Sequence, residues 1–191
     1  KDFDDAAAID VRLTMTRDAF GRFAFSPEQI RRWEATPKSE PLAGGGWVPS
    51  ATFPPDVISM RHVSRKLNQL RELAPQSALF VSIGPYRMNE DLSWVLAAEP
   101  DGVILRMDEV PLDGLQLAKL TRHARHEMND AGKPDMPLWI VPGKVSADDV
   151  VKLIVLGASA VAIDSWCDAL IQEAEQATAS TAGSRLADRA R

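Results

Sequence analysis

The sequence predicts an α/β fold: a parallel sheet of four βα units, half of a TIM-type (β/α)8 barrel, with an irregular N-terminal arm. From residue 57 onward, short apolar segments of strand length alternate with segments of helical periodicity. The strand-like segments are apolar at nearly every position, as in strands covered on both faces. The chain has 191 residues, whereas a complete barrel needs about 250. An open doubly wound sheet is the alternative architecture.

Residues 1–56 lack this alternation and predict an arm with one short helix. Ser26, Pro27 and Glu28 supply an N-cap, a first-turn proline and an acid ahead of residues 29–34. Residues 36–55 are too dense in proline and glycine for a regular element, and they predict a linker.

The first predicted helix and strand of the repeating region occupy residues 58–73 and 78–83. Val63, Leu67, Leu70 and Leu73 recur at helical spacing, with cationic residues on the other face. The apolar run ALFVSI follows and is closed by a glycine and a proline, which favours a buried strand.

The second and third units follow the same pattern. Asn89 is a candidate N-cap for a helix at 89–98, and a proline then ends it before the strand at 102–107. The longest helix, 115–131, is stopped by a glycine and leads to the strand at 138–142.

The last unit begins at Ser146, which caps a helix at 147–156 before the strand at 160–164. A final helix is predicted at 167–177, and the remaining residues predict a flexible tail. The predicted domains are therefore an arm at 1–56, a half-barrel domain at 57–177 and a tail at 178–191.

Charge and composition exclude several classes of partner. The formal charge is −5, so we expect no nucleic acid partner. The longest apolar run, 153–163, is far shorter than the ~20 residues of a membrane span, and no secretory signal opens the chain. The single cysteine, Cys167, fits a reducing compartment, so we expect a cytoplasmic protein without membrane association.

The turn after the third predicted strand is the candidate anion site. Gly143 allows close approach to the backbone, Lys144 adds a positive charge, and Ser146 opens a helix with free amides. In the alternative, which we favour, Asp148 and Asp149 complement the helix dipole and the segment is a well-capped structural helix.

Candidate catalytic groups follow the predicted strands, where barrel enzymes hold acid–base residues. These are Arg106, Asp108, Glu109 and Asp164. A solvated rim with local salt bridges is the alternative and is favoured because surface carboxylates are common.

We expect no metal site and no nucleophilic catalysis. His123, His126 and Glu127 lie in one helix, but their spacing matches no zinc motif, and an exposed charged face is the better interpretation. Ser82 lacks a nucleophile elbow, and Cys167 lacks a base nearby in sequence.

Two segments resemble the FMN-binding domain of the glutamate synthase family. GKVSAD at 143–148, followed by VVKLIVLGA, resembles that domain's seventh strand-to-helix turn, and 66–84 resembles its helix 4 and strand 5. The resemblance covers about residues 57–170 and implies the second half of an FMN-type barrel. It would hold FMN through Gly143, Lys144 and Ser146.

The chain departs from this pattern at the flavin. The family has a lysine on strand 5, where this chain has Phe80 and Ser82. A glycine-rich loop is replaced by MDEVPLDG, and Asp164 with Trp166 stands where the family offers small residues to the phosphate. The family's cysteine cluster is also missing, since Cys167 stands alone. We therefore expect no tightly bound cofactor.

Two functions follow from the resemblance and its departures. The first is a degenerate, non-catalytic domain that acts as an interaction or regulatory module. The alternative is an FMN-dependent oxidoreductase, or a subunit of one, in glutamate metabolism. A half barrel would expose an apolar inner face, so we expect a homo-oligomer or a partner subunit to complete it. In the alternative, the N-terminal arm with Phe20, Phe23, Phe25 and Trp47 folds over this face within one chain. The inner face is predicted to contain Val81, Ile83, Leu105, Val141 and Ile163.

Overall fold

The computed structural model describes residues 6–13, 22–25, 48–49, 56–108 and 110–163. The elements are β1 (Ala8–Leu13), β2 (Ala24–Phe25), β3 (Val48–Pro49), α1 (Val63–Leu73), β4 (Ala78–Ile83), α2 (Met88–Ala97), β5 (Gly102–Arg106), α3 (Gly114–Asp130), β6 (Leu138–Val141), α4 (Ala147–Val155) and β7 (Ala160–Val161). Within these ranges, no helix combines the length and the apolar character needed to cross a membrane.

Five parallel strands form the main sheet in the order β1-β4-β5-β6-β7. The order follows the chain without reversing, and consecutive helices pack side by side. A doubly wound sheet would need a reversal, so that alternative is wrong and the half-barrel prediction is confirmed. A separate antiparallel pair joins β2 to β3.

The first strand of the sheet was not predicted. β1 pairs with β4 in parallel over six residues, from Ala8↔Ala78 to Leu13↔Ile83. Describing residues 1–56 as irregular is therefore wrong for β1, where Ile9, Val11 and Leu13 alternate with exposed residues. The predicted helices at 29–34 and 167–177 and the predicted tail lie outside the described residues.

The helices cover one face of the sheet. Alternate strand residues such as Val81, Ile83 and Leu105 are buried in one cluster with helix residues such as Leu67 and Leu92. The prediction that Val81, Ile83 and Leu105 line the inner face is therefore wrong. Strand alternation places their neighbours there instead.

The opposite face of the sheet carries an aromatic pair. No helix among the described residues packs on this face, so we call it the helix-free face. The ring of Phe80 contacts the ring of Trp139, with centroids 4.3 Å apart. Phe80 pairs in register with Gly102, and a Cβ built on Gly102 would lie 2.2 Å from the Phe80 ring. The missing side chain of Gly102 therefore gives Phe80 room to lie across the sheet.

Of the two helix caps predicted within the described residues, one is confirmed, and the structure adds a cap at Asp113 that was not predicted. Asp113 forms a reciprocal capping box with Gln116 at α3, and Ser146 forms one with Asp149 at α4. The predicted Asn89 cap is wrong, because α2 starts at Met88 and Asn89 lies within its first turn.

We predict that Gly102→Ala destabilises the protein by about 1–3 kcal/mol, because the new methyl group overlaps the Phe80 ring. Gly114→Ala is the matched control, since a Cβ there meets no atom within 4 Å. Urea unfolding of both variants measures the effect. Equal unfolding midpoints for the two variants would contradict the packing described.

Candidate functional site

Arg106 and Asp108 form an ion pair at the carboxyl end of β5. The guanidinium Nη2 of Arg106 donates to Oδ2 of Asp108 at 2.9 Å. The Nε atom of Arg106 is buried and has no hydrogen-bond partner. Of the other two candidate catalytic residues, neither Glu109 nor Asp164 belongs to the described ranges. The described pair has the geometry of a local salt bridge.

A second polar contact lies on the helix-free face, between β1 and β4. The hydroxyl of Ser82 donates to Oδ1 of Asp10 at 2.6 Å. Ser82 is fully buried, whereas Asp10 is exposed. Asp10 is not among the predicted site residues, because β1 was not predicted from the sequence. The alternation of Ile9, Val11 and Leu13 was the available signal.

Trp139 was also missed as a surface residue. Its strand looked wholly apolar, yet Trp139 is 39% exposed and pairs in register with Ile104 and Ala160. Alternation along β6 sends Leu138 and Ile140 into the core and Trp139 to the helix-free face. This face therefore combines an aromatic surface with the Asp10–Ser82 contact.

The backbone conformation of the candidate anion turn requires glycine at position 143. Its φ is +80°, a conformation that residues with side chains rarely adopt. A Cβ there would lie 3.3 Å from the Cα of Asp108. The close approach that Gly143 permits is thus to the neighbouring loop of the same chain.

The start of α4 already holds a carboxylate. The hydroxyl of Ser146 donates to Oδ2 of Asp149 at 2.7 Å, and the amide of Ser146 donates to the same oxygen at 3.2 Å. Lys152 donates to the other oxygen at 3.1 Å. These contacts, led by the Ser146 hydroxyl, lower the pKa of Asp149 to about 2. An incoming anion would have to approach this charge, with Lys144 exposed beside it.

The histidines of α3 make contacts with neighbouring side chains. His123 Nε2 lies 2.6 Å from Oδ1 of Asn89, and His126 Nε2 lies 3.4 Å from Oδ2 of Asp130. Within the part of the chain that the structure describes, no group of three or more potential ligands could hold a metal ion. Cys167 lies outside that part.

We predict that the capping box stabilises the protein when the carboxyl group of Asp149 is ionised. The pKa of Asp149 is lower in the folded protein than its ordinary value of 3.8, so its contribution is present above that value and is lost as the pH falls toward 2. Asp149→Asn should therefore lower the thermal midpoint at neutral pH, and the difference from the unmodified protein should shrink between about pH 4 and pH 2.

Calorimetry across this pH range tests the prediction. Asp148→Asn is the control, because it removes a charge from the same turn and leaves the box intact. Ser146→Ala should cost about 1 kcal/mol at neutral pH. A midpoint difference for Asp149→Asn that stays constant from neutral pH to pH 2 would contradict the assignment.

Comparisons with known proteins give no family for this chain. No protein-family model and no curated protein matches it. Among solved structures it is similar to chitinase ChiW from Paenibacillus sp. str. FPU-7, a multi-modular enzyme expressed at the bacterial cell surface. The identity is 14% and the TM-score 0.45, over 80% of this chain and 21% of that one. The chain thus spans about a fifth of the chitinase, and a likeness at this level assigns no function.

Proposed function

We propose that the chain is a glutamate synthase-like barrel domain that does not bind FMN tightly and acts as a cytoplasmic interaction or regulatory module. The observation that carries this proposal is the packing of Phe80. The resemblance implies a flavin-proximal lysine on this strand, and here an aromatic ring lies over Gly102 and against Trp139. An apolar ring at this position offers neither a charge nor a hydrogen-bond donor to a flavin.

The capping box supports the same conclusion. In an FMN-type site, the turn from Gly143 to Ser146 would offer amides and a hydroxyl to the phosphate. Here the Ser146 amide and hydroxyl both donate to Asp149. A phosphate would have to displace a carboxylate that also pairs with Lys152, and it would meet repulsion from that charge.

An FMN-dependent oxidoreductase, or a subunit of one in glutamate metabolism, is the second candidate. It is favoured by two cationic groups at the carboxyl edge of the sheet. Lys144 is exposed beside the turn, and Arg106 retains a buried Nε without a partner. Both groups could face an anionic ligand, although the negative charge of Asp149 would still repel that ligand.

We predict that purified protein titrated with FMN shows no sub-micromolar quenching of flavin fluorescence. Such quenching would require a site worth more than about 8 kcal/mol. Riboflavin is the matched control ligand, because it carries the same ring without the phosphate. Sub-micromolar binding of FMN, with or without riboflavin binding, would overturn the proposal and favour the oxidoreductase.

The partner that best fits this module is a second copy of the chain. In the described residues, β1 and β7 lie at the two ends of the sheet and each pairs with one strand only. Trp139 is partly exposed on the helix-free face. A complete barrel has no open edges, and twofold pairing of two half barrels would cover these edges together with the exposed part of Trp139. Phe80, Ser82 and Ile104 on the same face are already buried.

We predict that light scattering gives a mass of twice the 20.9 kDa of one chain at tens of micromolar protein. Trp139→Glu should shift the protein toward the monomer, since it places a charge on the face that would be buried. Leu115→Glu, on an outer helix, is the matched control and should leave the mass unchanged. A monomer at these concentrations would refute self-association.

A further inference from the structure

A long groove runs along the outer side of α3. Its cavity volume is about 760 Å³, and its wall is completed by Leu156, which follows α4. We call it the α3 groove. Its α3 residues that matter here are Leu115, Ala118, Lys119, Arg122, His126 and Asn129.

The spacing of these residues gives the groove a length. Leu115 and Asn129 are 14 positions apart on one helix. Ala118, Lys119, Arg122 and His126 lie three, four, seven and eleven positions after Leu115, which is the spacing of one helix face. At 1.5 Å per residue the groove extends about 21 Å along α3. That length matches about four turns of a second helix lying alongside.

The groove has apolar positions that the described residues leave exposed. Leu115 is 80% exposed, and Ala118 and Leu156 are half-buried. Isolated exposed leucines are ordinary on protein surfaces. Here, however, the apolar side chains line one concave surface, which is the geometry of helix-in-groove recognition.

The described lining of the groove has a charge opposite to that of the whole chain. The chain carries −5, yet the described lining residues include five basic or imidazole side chains and no carboxylate. Lys119 and Arg122 are exposed, and within the described ranges neither makes an ion pair or a side-chain hydrogen bond. His126 does have a partner, in Asp130.

The guanidinium of Arg125 is bound to backbone carbonyls of the protein and is therefore not available to a ligand. Its Nε donates to the carbonyl of Gly157 at 2.9 Å, and Nη1 donates to the carbonyls of Pro134 and Met136. Arg125 thereby ties α3 to the loops beside β6 and α4. The cations available to a ligand are Lys119 and Arg122.

We infer that the α3 groove binds an acidic amphipathic helix of a partner protein. Apolar residues on one face of that helix would contact Leu115 and Leu156, while its glutamates or aspartates would pair with Lys119 and Arg122. This inference goes beyond the proposed function, because it assigns a partner of stated chemistry to a surface outside the sheet. It does not depend on self-association or on flavin.

The test is fluorescence anisotropy with the full chain and a labelled 18-residue peptide that has leucine at every third or fourth position and glutamate elsewhere. The control peptide has lysine in place of every glutamate. We expect saturable binding of the acidic peptide, weakened by added salt, and much weaker binding of the basic peptide.

Charge reversal in the groove gives the decisive comparison. Lys119→Glu with Arg122→Glu should weaken binding of the acidic peptide at least about tenfold. The matched control is Arg61→Glu with Arg65→Glu, which makes the same charge change at one residue just before α1 and one residue within it. This control should leave the affinity for the acidic peptide unchanged. Leu115→Ser should also weaken binding.

Several outcomes would overturn the inference. One is no binding of the acidic peptide, and another is equal loss of affinity in both charge-reversed variants. A third outcome concerns an RNA homopolymer tested in the same assay. If the protein binds this RNA but not the acidic peptide, and if the double charge reversal at Lys119 and Arg122 abolishes RNA binding, the groove is a nucleic acid site. These results are distinguishable from failure of the proposed function, which is read from FMN binding and mass.

Discussion

The register of the parallel strands determines what each face of this protein can do. Because successive side chains of a strand point to opposite faces, pairing Phe80 with Gly102 and Ser82 with Ile104 aligns whole rows of residues. The helix side receives the aliphatic positions and forms the core. The helix-free face receives Phe80, Ser82 and Trp139, and with them the ring contact and the Asp10–Ser82 hydrogen bond. A shift of one residue would exchange the two sets.

Several residues that suggest chemistry in the sequence are used by the fold itself. Gly143 accommodates the loop at Asp108, the Ser146 hydroxyl and amide hold Asp149, and Arg125 donates to backbone carbonyls beside β6. Each has a residue type found in ligand sites, since glycine, helix-cap hydroxyls and arginine also bind anions. The distinction lies in whether a polar group already has a partner. That depends on residues distant in the sequence, such as Gly157, whose carbonyl Arg125 reaches over 32 positions.

Sequence reasoning succeeded where a signal was local and failed where it depended on pairing. The bounds of β4 and the Ser146 cap follow from apolar runs and cap chemistry, and both were predicted correctly. β1 was missed because one edge strand with alternating polarity has no flanking unit to mark it. The inner face was misassigned because strands apolar at every position give no sign of which residues face the helices. Only the contacts of Val81 with the helix layer decide that. Trp139 was overlooked for the same reason.

Among the described residues, cations at the carboxyl edge of the sheet are mostly paired with carboxylates, whereas two cations on the outer helix α3 are not. At the carboxyl edge, Arg106 and Lys152 each engage a carboxylate, so most of the local charge is neutralised within the chain. On α3, Lys119 and Arg122 engage none in the described residues, although the chain as a whole has an excess of acids. Charges that are paired internally contribute little to long-range attraction, whereas unpaired ones set the potential that a partner meets first. Electrostatic recognition by this protein is therefore better supported on its helical exterior than at the edge where barrel enzymes act.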